Sequence, residues 1–372
     1  MQVEELKAFE RAARRFARER VAPMVGTEGR DGALESLPGL LDEAERAGFV
    51  ASADPESPGF DYGVWGRAAF EEGPAASLAL LRSLARACAG VAACVHVVGL
   101  GSAEQLGAPA PLSRATVAIC DASWRFDWSA LVEPPKHAVH WVGHNGAQVL
   151  RGSLTSVPRA PDSQGVVLFA RGAHGWEVAA LPWDAPGLHA RPVGATCGLA
   201  ALTLYDLRLD EVTVPYDGRL GARSPLAHLR RAMLGWSAIA VGNAESSHEA
   251  AVAYAADRYQ GGGLIDAHHA VRGLLGDAAS RIEMANAHVQ AVSSEIESDA
   301  PSLRRAFATK LRVTEACRSA VSDCLQVLGG YGYMEDHRLE KRLRDAMTLE
   351  TIGIRPADLR MLCGAPTAEV DA

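Results

Sequence analysis

Three histidines, His137, His140 and His144, stand in H-x2-H-x3-H spacing around Trp141. On a helix such spacing would gather imidazoles on one face, as a zinc site requires. The surrounding residues, HAVHWVGHNG, read instead as a strand and a turn. On a strand His137 and His140 face opposite sides, so no metal site is expected. The cysteines are equally quiet. There are 7, at positions 88, 94, 120, 197, 317, 324 and 363, with no C-x-x-C pair. This reads as reduced thiols in a cytosolic protein, not a disulfide frame. The adjacent His268 and His269 read as packing residues. No G-x-S-x-G, Walker A or G-x-G-x-x-G element occurs, so hydrolase, NTPase and Rossmann readings have no support.

The elements that must position any site follow from composition and pattern. The chain has 372 residues, 48% apolar and 22% charged, enough to bury a sizeable core and to exclude disorder as the main state. Only 6% is aromatic, so Ala, Leu and Val supply that core. Lys and Arg total 37 against 45 Asp and Glu, a net charge of −8. That balance argues against nucleic acid as a partner. The charged N-terminus has no apolar signal core, and no run of 18 apolar residues exists. A cytoplasmic, mostly helical protein away from the membrane is expected.

Residues 1–111 are expected to form a helical domain, with a first helix ending near Pro23, a second over Ser36–Ala47 and an Ala- and Leu-rich stretch over 68–107. Residues 112–216 change character. Ala115–Asp121, His137–Gly143, Ala147–Gly152, Gly165–Arg171, Trp176–Leu181 and Ala200–Pro215 are short segments rich in Val, Leu, Thr or Trp, set between Gly and Pro. They predict an antiparallel β-domain, a barrel or sandwich. Residues 217–372 return to helices, predicted over Arg230–Gln260, Asp266–Ser298, Pro301–Gln326 and from Arg338 to Leu349. Long helices with Gly-rich joints make a four-helix bundle, in an α+β chain of helices, strands, then bundle.

The most specific stretch is QVLGGYGYMEDHRLEKRLRDA, Gln326–Ala346. It resembles the C-terminal signature of the acyl-CoA dehydrogenase family. YAADRYQGGGLIDAHHAVRGLLGD, Tyr254–Asp277, resembles that family's "YA-x-x-R-x-x-FG-x-x-I" helix pair, and DEVTVP, Asp210–Pro215, the "V-x-VP" leaving its β-domain. The resemblance implies the family's helix–β–helix fold, a tetrameric habit and FAD. It also implies its chemistry: a carboxylate takes the α-proton of an acyl-CoA and the flavin takes the β-hydride. Carried over, Arg258 matches the arginine that binds the FAD pyrophosphate of a neighbouring subunit, as a bidentate, permanently charged guanidinium suits. Gln326, Gly329 and Gly330 match positions contacting the adenosine half. Read without the resemblance, Arg258 is a solvent-facing helix-end arginine and the glycines are a plain helix stop.

The chain departs from the family where the chemistry is done. The glutamate of the family's "YEGT" falls on Gly353, within MTLETIGIRPAD, and the alternative base position on the first bundle helix falls on Ala232. Neither side chain accepts a proton. ICDASWRFDW stands near the family's "TEP-x-AGSD", and Thr155, in LTSVP, stands where the flavin-stacking tryptophan is expected. Gly261 replaces the phenylalanine of "FG". Glu350, one turn before Gly353 if the helix continues, is the candidate for a relocated base. Asp358, at a helix start, reads more simply as a dipole partner. Two functions of different class follow. In the first, the chain is a base-less subunit that pairs with a related acyl-CoA dehydrogenase chain, or with itself, and lends Arg258, Gln326, Gly329 and Gly330 to the partner's FAD. In the second, it is an active FAD-dependent dehydrogenase of an acyl-CoA thioester with a moved base. A flavin-free binding or scaffold role is the third reading.

Overall fold

The protein is described by a computed structural model covering residues 3–27, 36–109, 111–119, 128–132, 138–144, 147–293 and 300–366. The N-terminal part is helical: α1 (Val3–Phe16), α2 (Ala22–Thr27), α3 (Leu37–Arg46), two short turns α4 (Gly59–Tyr62) and α5 (Ala68–Glu71), then α6 (Ala75–Ala87) and α7 (Ala89–Glu104). The chain does not stop at Pro23 as the sequence suggests. A π turn over Ala17–Val21 opens the hydrogen-bond ladder just before the proline, and Pro23 sits in the first turn of α2, where its missing N–H costs nothing. Helix α7 is buried along its whole length. Its glycines permit close approach: a Cβ on Gly99 would lie 2.2 Å from the Val64 carbonyl oxygen, and one on Gly101 1.9 Å from that of Ala115.

The strands are β1 (Thr116–Ala118), then, after the short helix α8 (Trp128–Val132), β2 (His140–His144), β3 (Ala147–Arg159), β4 (Gly165–Arg171), β5 (Trp176–Pro182), β6 (Leu188–Pro192), β7 (Thr203–Thr213) and β8 (Arg219–Ala222). They form one sheet in the order β6-β7-β3-β2-β4-β5-β8, with β1 beside β4. The expectation of a purely antiparallel sheet is corrected to a mixed one: β1 runs parallel to β4, and β2 touches β4 in parallel at His140 and Arg171. Strands β1 and β2 therefore run in the same direction, which a tight hairpin between them could not produce. Alternate residues of β3, β4, β5 and β7, among them Leu150, Leu154, Leu168, Leu181 and Leu207, fill a second small core. The main core joins the helices to the sheet's other face.

The C-terminal part is the bundle: α9 (Pro225–Asp257), a two-residue ribbon β9 (Tyr259–Gln260) and β10 (Gly263–Leu264), α10 (His269–Ser293), α11 (Ala300–Val327), α12 (Leu339–Thr351) and α13 (Pro356–Gly364). Ser224 caps α9 through the Leu226 N–H, and Pro225 opens it. Among the described residues no helix is long and apolar enough to cross a membrane.

Candidate functional site

Two hollows lie on α9, one near each end. The first is a cavity of about 290 Å³ where α7, α9, α12 and the start of α13 meet β1 and β3. Gly353 and Ala232, the two expected base positions, and Thr155, at the position of the expected flavin-stacking tryptophan, all line it. Thr155 reaches it because β3 bulges between Leu154 and Val157, with Ser156 at φ +56° and its N–H held by Asp206. Val97, Leu100, Leu229, Met233 and Trp236 make most of the remaining wall apolar.

The turn carrying Gly353 is built around a buried lysine. Lys310 Nζ donates to the carbonyls of Glu350 at 2.7 Å and Ile354 at 3.2 Å. Burial pushes this ammonium down to about 7, against the attraction of the Glu350 carboxylate. Gly353 itself adopts φ +77°, a left-handed conformation that glycine takes without strain. On the opposite wall His96 fixes α9. Trp65 Nε1 donates to His96 Nδ1 at 2.8 Å, so Nε2 carries the proton and donates to the Ala232 carbonyl at 3.2 Å. Complete burial pushes His96 down to about 3, and it stays neutral. The floor is tied by Asp345, which accepts from the Leu199 N–H and Lys341 Nζ, both at 2.7 Å.

Glu350 is not brought into this cavity. Helix α12 ends at Thr351, and Ile352 is extended, so Glu350 and Gly353 do not share a helix face. The Glu350 carboxylate turns to α11 and pairs with Arg318 Nε at 2.7 Å. Asp358 does line the cavity, in the first turn of α13, but both of its oxygens are taken by Arg355, at 2.7 and 3.2 Å.

The cavity also contains a pair that sequence reasoning missed. His228, on the first turns of α9, lines it and is buried. Its Nδ1 stands 3.3 Å from Glu104 Oε1, within ion-pair reach though off the line of a hydrogen bond. Glu104 ends α7 and also receives Arg231 at 2.6 Å and Arg223 at 3.7 Å. Burial would raise this carboxyl, but His228, Arg231 and Arg223 outweigh it and hold it at about 2. No spacing rule links residues 127 positions apart, as Glu104 and Arg231 are.

The second hollow, about 600 Å³, gathers Arg258, Gln326, Gly329 and Gly330 with Tyr254 and Tyr331. Arg258 caps α9 and lays its guanidinium 5.3 Å over the Tyr331 ring. Its Nε is buried without a hydrogen-bond partner among the described residues. Gly329, at φ +56°, and Gly330 leave open space where a Cβ would stand. An orphaned guanidinium N–H beside an open glycine cradle fits the phosphate groups and ribose of a dinucleotide. Tyr254 and Tyr331 lie tilted beside it with ring centres 6.3 Å apart, and His337 packs edge-on to both at 5.7 and 5.8 Å. Gly261 is explained locally: with Gly262 it forms the two-residue turn of the β9–β10 ribbon, at φ +67° and +88°, where phenylalanine would be strained. His268 accepts a packing role, bonded to the Gln260 carbonyl at 2.9 Å.

His140 and His144 lie on β2, and His140 Nδ1 bonds the Ala138 carbonyl. His137 lies outside the described residues, as do Cys120–Asp127 of the expected flavin loop.

Residues 220–353 match the family described as acyl-CoA dehydrogenase, C-terminal domain. Over that stretch the chain is similar to the acyl-CoA dehydrogenase family. An acyl-CoA dehydrogenase of Bacillus subtilis is 30% identical over 213 residues, 54% of this chain and 56% of that protein. A subunit of the caffeyl-CoA reductase-Etf complex of Acetobacterium woodii is 25% identical over 53% of this chain and 55% of its own. The chain thus spans about half the length of the curated relatives it matches. In fold the likeness runs further. Butyryl-CoA dehydrogenase from Megasphaera elsdenii superposes with a TM-score of 0.81 at 20% identity, covering 98% of each chain. Nitroalkane oxidase superposes at 0.80 with 14% identity, covering 98% of this chain and 96% of its own. The acyl-CoA dehydrogenase fold therefore extends over the described β-sheet and N-terminal helices, where sequence likeness fades.

Proposed function

We propose that this chain is a subunit of an FAD-dependent acyl-CoA dehydrogenase assembly acting on an acyl thioester, and that it lends its Arg258 hollow to the FAD of a neighbouring chain. The separation of the two hollows supports the reading. At about 1.5 Å per residue, α9 carries Arg258 roughly 39 Å from Ala232. One dinucleotide does not span that distance, so the phosphate-binding end of this chain serves a cavity on another. FAD, when bound, supplies a two-electron acceptor for the β-hydride. Arg258 would hold the pyrophosphate through its free Nε–H, Gln326 would bond the adenosine side, and Gly329 and Gly330 would admit it without a Cβ. The acyl group would lie in the apolar cavity against Met233 and Trp236.

The neighbour is a related chain that carries the usual glutamate, or a second copy of this one. With Gly353 and Ala232 at the two familiar base positions, carboxylate-driven α-proton removal of the conventional kind falls to a partner that has the glutamate. The test is the visible spectrum of the protein purified alone and co-expressed with the most similar acyl-CoA dehydrogenase encoded beside it. A colourless lone protein that becomes yellow at about one FAD per pair is the expected result. A protein colourless in both preparations refutes the reading and leaves a flavin-free role.

A further inference from the structure

The cavity lacks the family's carboxylate, yet it is not without a proton acceptor. Among its described lining residues only His228, Arg355 and Asp358 carry ionisable side chains. Arg355 stays protonated, and Asp358 has both oxygens committed to it. His228 differs. It sits one helical turn before Ala232 and so shares a face with the alternative base position. One ring nitrogen, Nδ1, faces Glu104. The ring itself lines the cavity, and its other nitrogen, Nε2, has no recorded partner among the described residues, whereas Nδ1 makes no hydrogen bond despite its closeness to Glu104. Phe169 supports the ring from the side, with centres 5.3 Å apart.

Glu104 occupies a place where a carboxylate is doubly costly. It is buried, and it ends α7, where the helix dipole repels negative charge. Arg231 and Arg223 keep it ionised there. A buried carboxylate kept charged behind an imidazole orients the ring and stabilises the imidazolium that forms on protonation.

We infer that His228, backed by Glu104, is the proton acceptor of this cavity. Nε2 takes an α-proton from an acyl thioester seated beside Ala232 and Met233. The C–H bond breaks, an N–H bond forms, and the electron pair stays on the substrate as the thioester enolate. The proton returns to the carbon or passes to solvent. No oxidant is consumed in this step, which therefore precedes any hydride transfer. The inference rests on the proposed function only for the identity of the occupant, an acyl thioester. It adds that this chain's own cavity performs the proton step, whatever it lends its neighbour.

The experiment follows α-proton exchange of butyryl-CoA in D2O by NMR, with the protein as purified, while calorimetry measures butyryl-CoA binding separately. Wild type exchanges the α-protons. His228→Ala lowers the exchange rate by about 100-fold or more, the usual contribution of a general base, with binding little changed. Free imidazole entering the vacated space restores exchange; pyrazole, of the same shape but a far weaker base, does not. His228→Gln, which keeps a polar group toward Glu104, gives the same loss should the alanine variant fold poorly. Glu104 is a positioning residue. In Glu104→Gln the exchange rate falls while butyryl-CoA binding is kept, because the ring loses the carboxylate that orients it. Binding without exchange in wild type overturns the inference and leaves the proposed function standing. So does equal rescue by pyrazole, or full exchange in both folded His228 variants. Absence of binding overturns the substrate reading and the inference together.

Discussion

Replacing Glu104 by glutamine tests the buried charge cluster on which the cavity's geometry depends. In the wild type Arg231 bonds Glu104 at 2.6 Å with its side chain only 13% exposed, and His228 and Arg223 stand at 3.3 and 3.7 Å. Removing one partner of such a buried cluster leaves cations without compensation and costs about 3–5 kcal/mol. The effect carries a pH signature. The carboxyl lies at about 2 in the folded protein against an ordinary 4.5. Its contribution is therefore complete above about pH 4.5 and is lost as the pH falls toward 2, because the unfolded chain takes up the proton first. At pH 4 the loss is about 0.8 kcal/mol, and at pH 5.5 it is below about 0.1 kcal/mol. Urea unfolding of both proteins at these two pH values, both on the acid side of ordinary histidines, measures the gap directly. The gap should be about 3–5 kcal/mol at pH 5.5 and narrower by about 0.8 kcal/mol at pH 4. A gap below about 1 kcal/mol, or one that does not narrow on acidification, would refute the account of Glu104 as a buried, ionised anchor.

Other positions give sharper single readouts. Arg258→Met should leave the melting temperature within about 2 °C but reduce FAD retention by the co-expressed pair on gel filtration at least about tenfold, since it removes a charge-assisted phosphate contact. Lys310→Met leaves the Glu350 and Ile354 carbonyls without their donor, and urea denaturation should report a loss of about 2–4 kcal/mol. Gly353→Ala meets nothing nearer than Met233 Cε at 3.4 Å, so its cost should be the backbone term alone, about 1–2 kcal/mol at φ +77°. Gly235→Ala places a Cβ 2.2 Å from His96 Cε1 and should cost about 1–3 kcal/mol, with a shift in tryptophan emission as Trp65 and Trp236 lose their shared histidine.

The parts of this protein readable from sequence are those whose signals are local. Arg258, Gln326, Gly329 and Gly330 come from two contiguous motifs, and the fold brings all four to one hollow. Strand β4 occupies Gly165–Arg171 as its apolar run suggests, bounded by turns on both sides. Strand β6 was illegible because it pairs on one side only and ends in Pro192, which reads as a loop. Glu350 drew attention through helical spacing, but the spacing failed when Lys310 captured the carbonyls that end α12. His228 and Glu104 carried no signal at all. One looks like a surface histidine at a helix start, the other like an ordinary helix-end glutamate. Only the packing of α7 against α9 makes them a buried pair.

Helix α7 has no outside. All of its 16 residues, from Ala89 to Glu104, are enclosed by other parts of the protein. A surface helix forgives changes on its wet face, so a saturation scan along it rises and falls every three or four residues. Along α7 that rhythm should vanish. Apart from Val97 and Leu100, which face the cavity, no position offers room for neutral drift, a fluorescent label or a solubilising charge, and enlarging one side chain requires shrinking its neighbour on α6, α9 or the sheet. Sequence change within α7 should therefore arrive in matched pairs, which makes this stretch the place where ancestral combinations of residues are hardest to exchange between relatives.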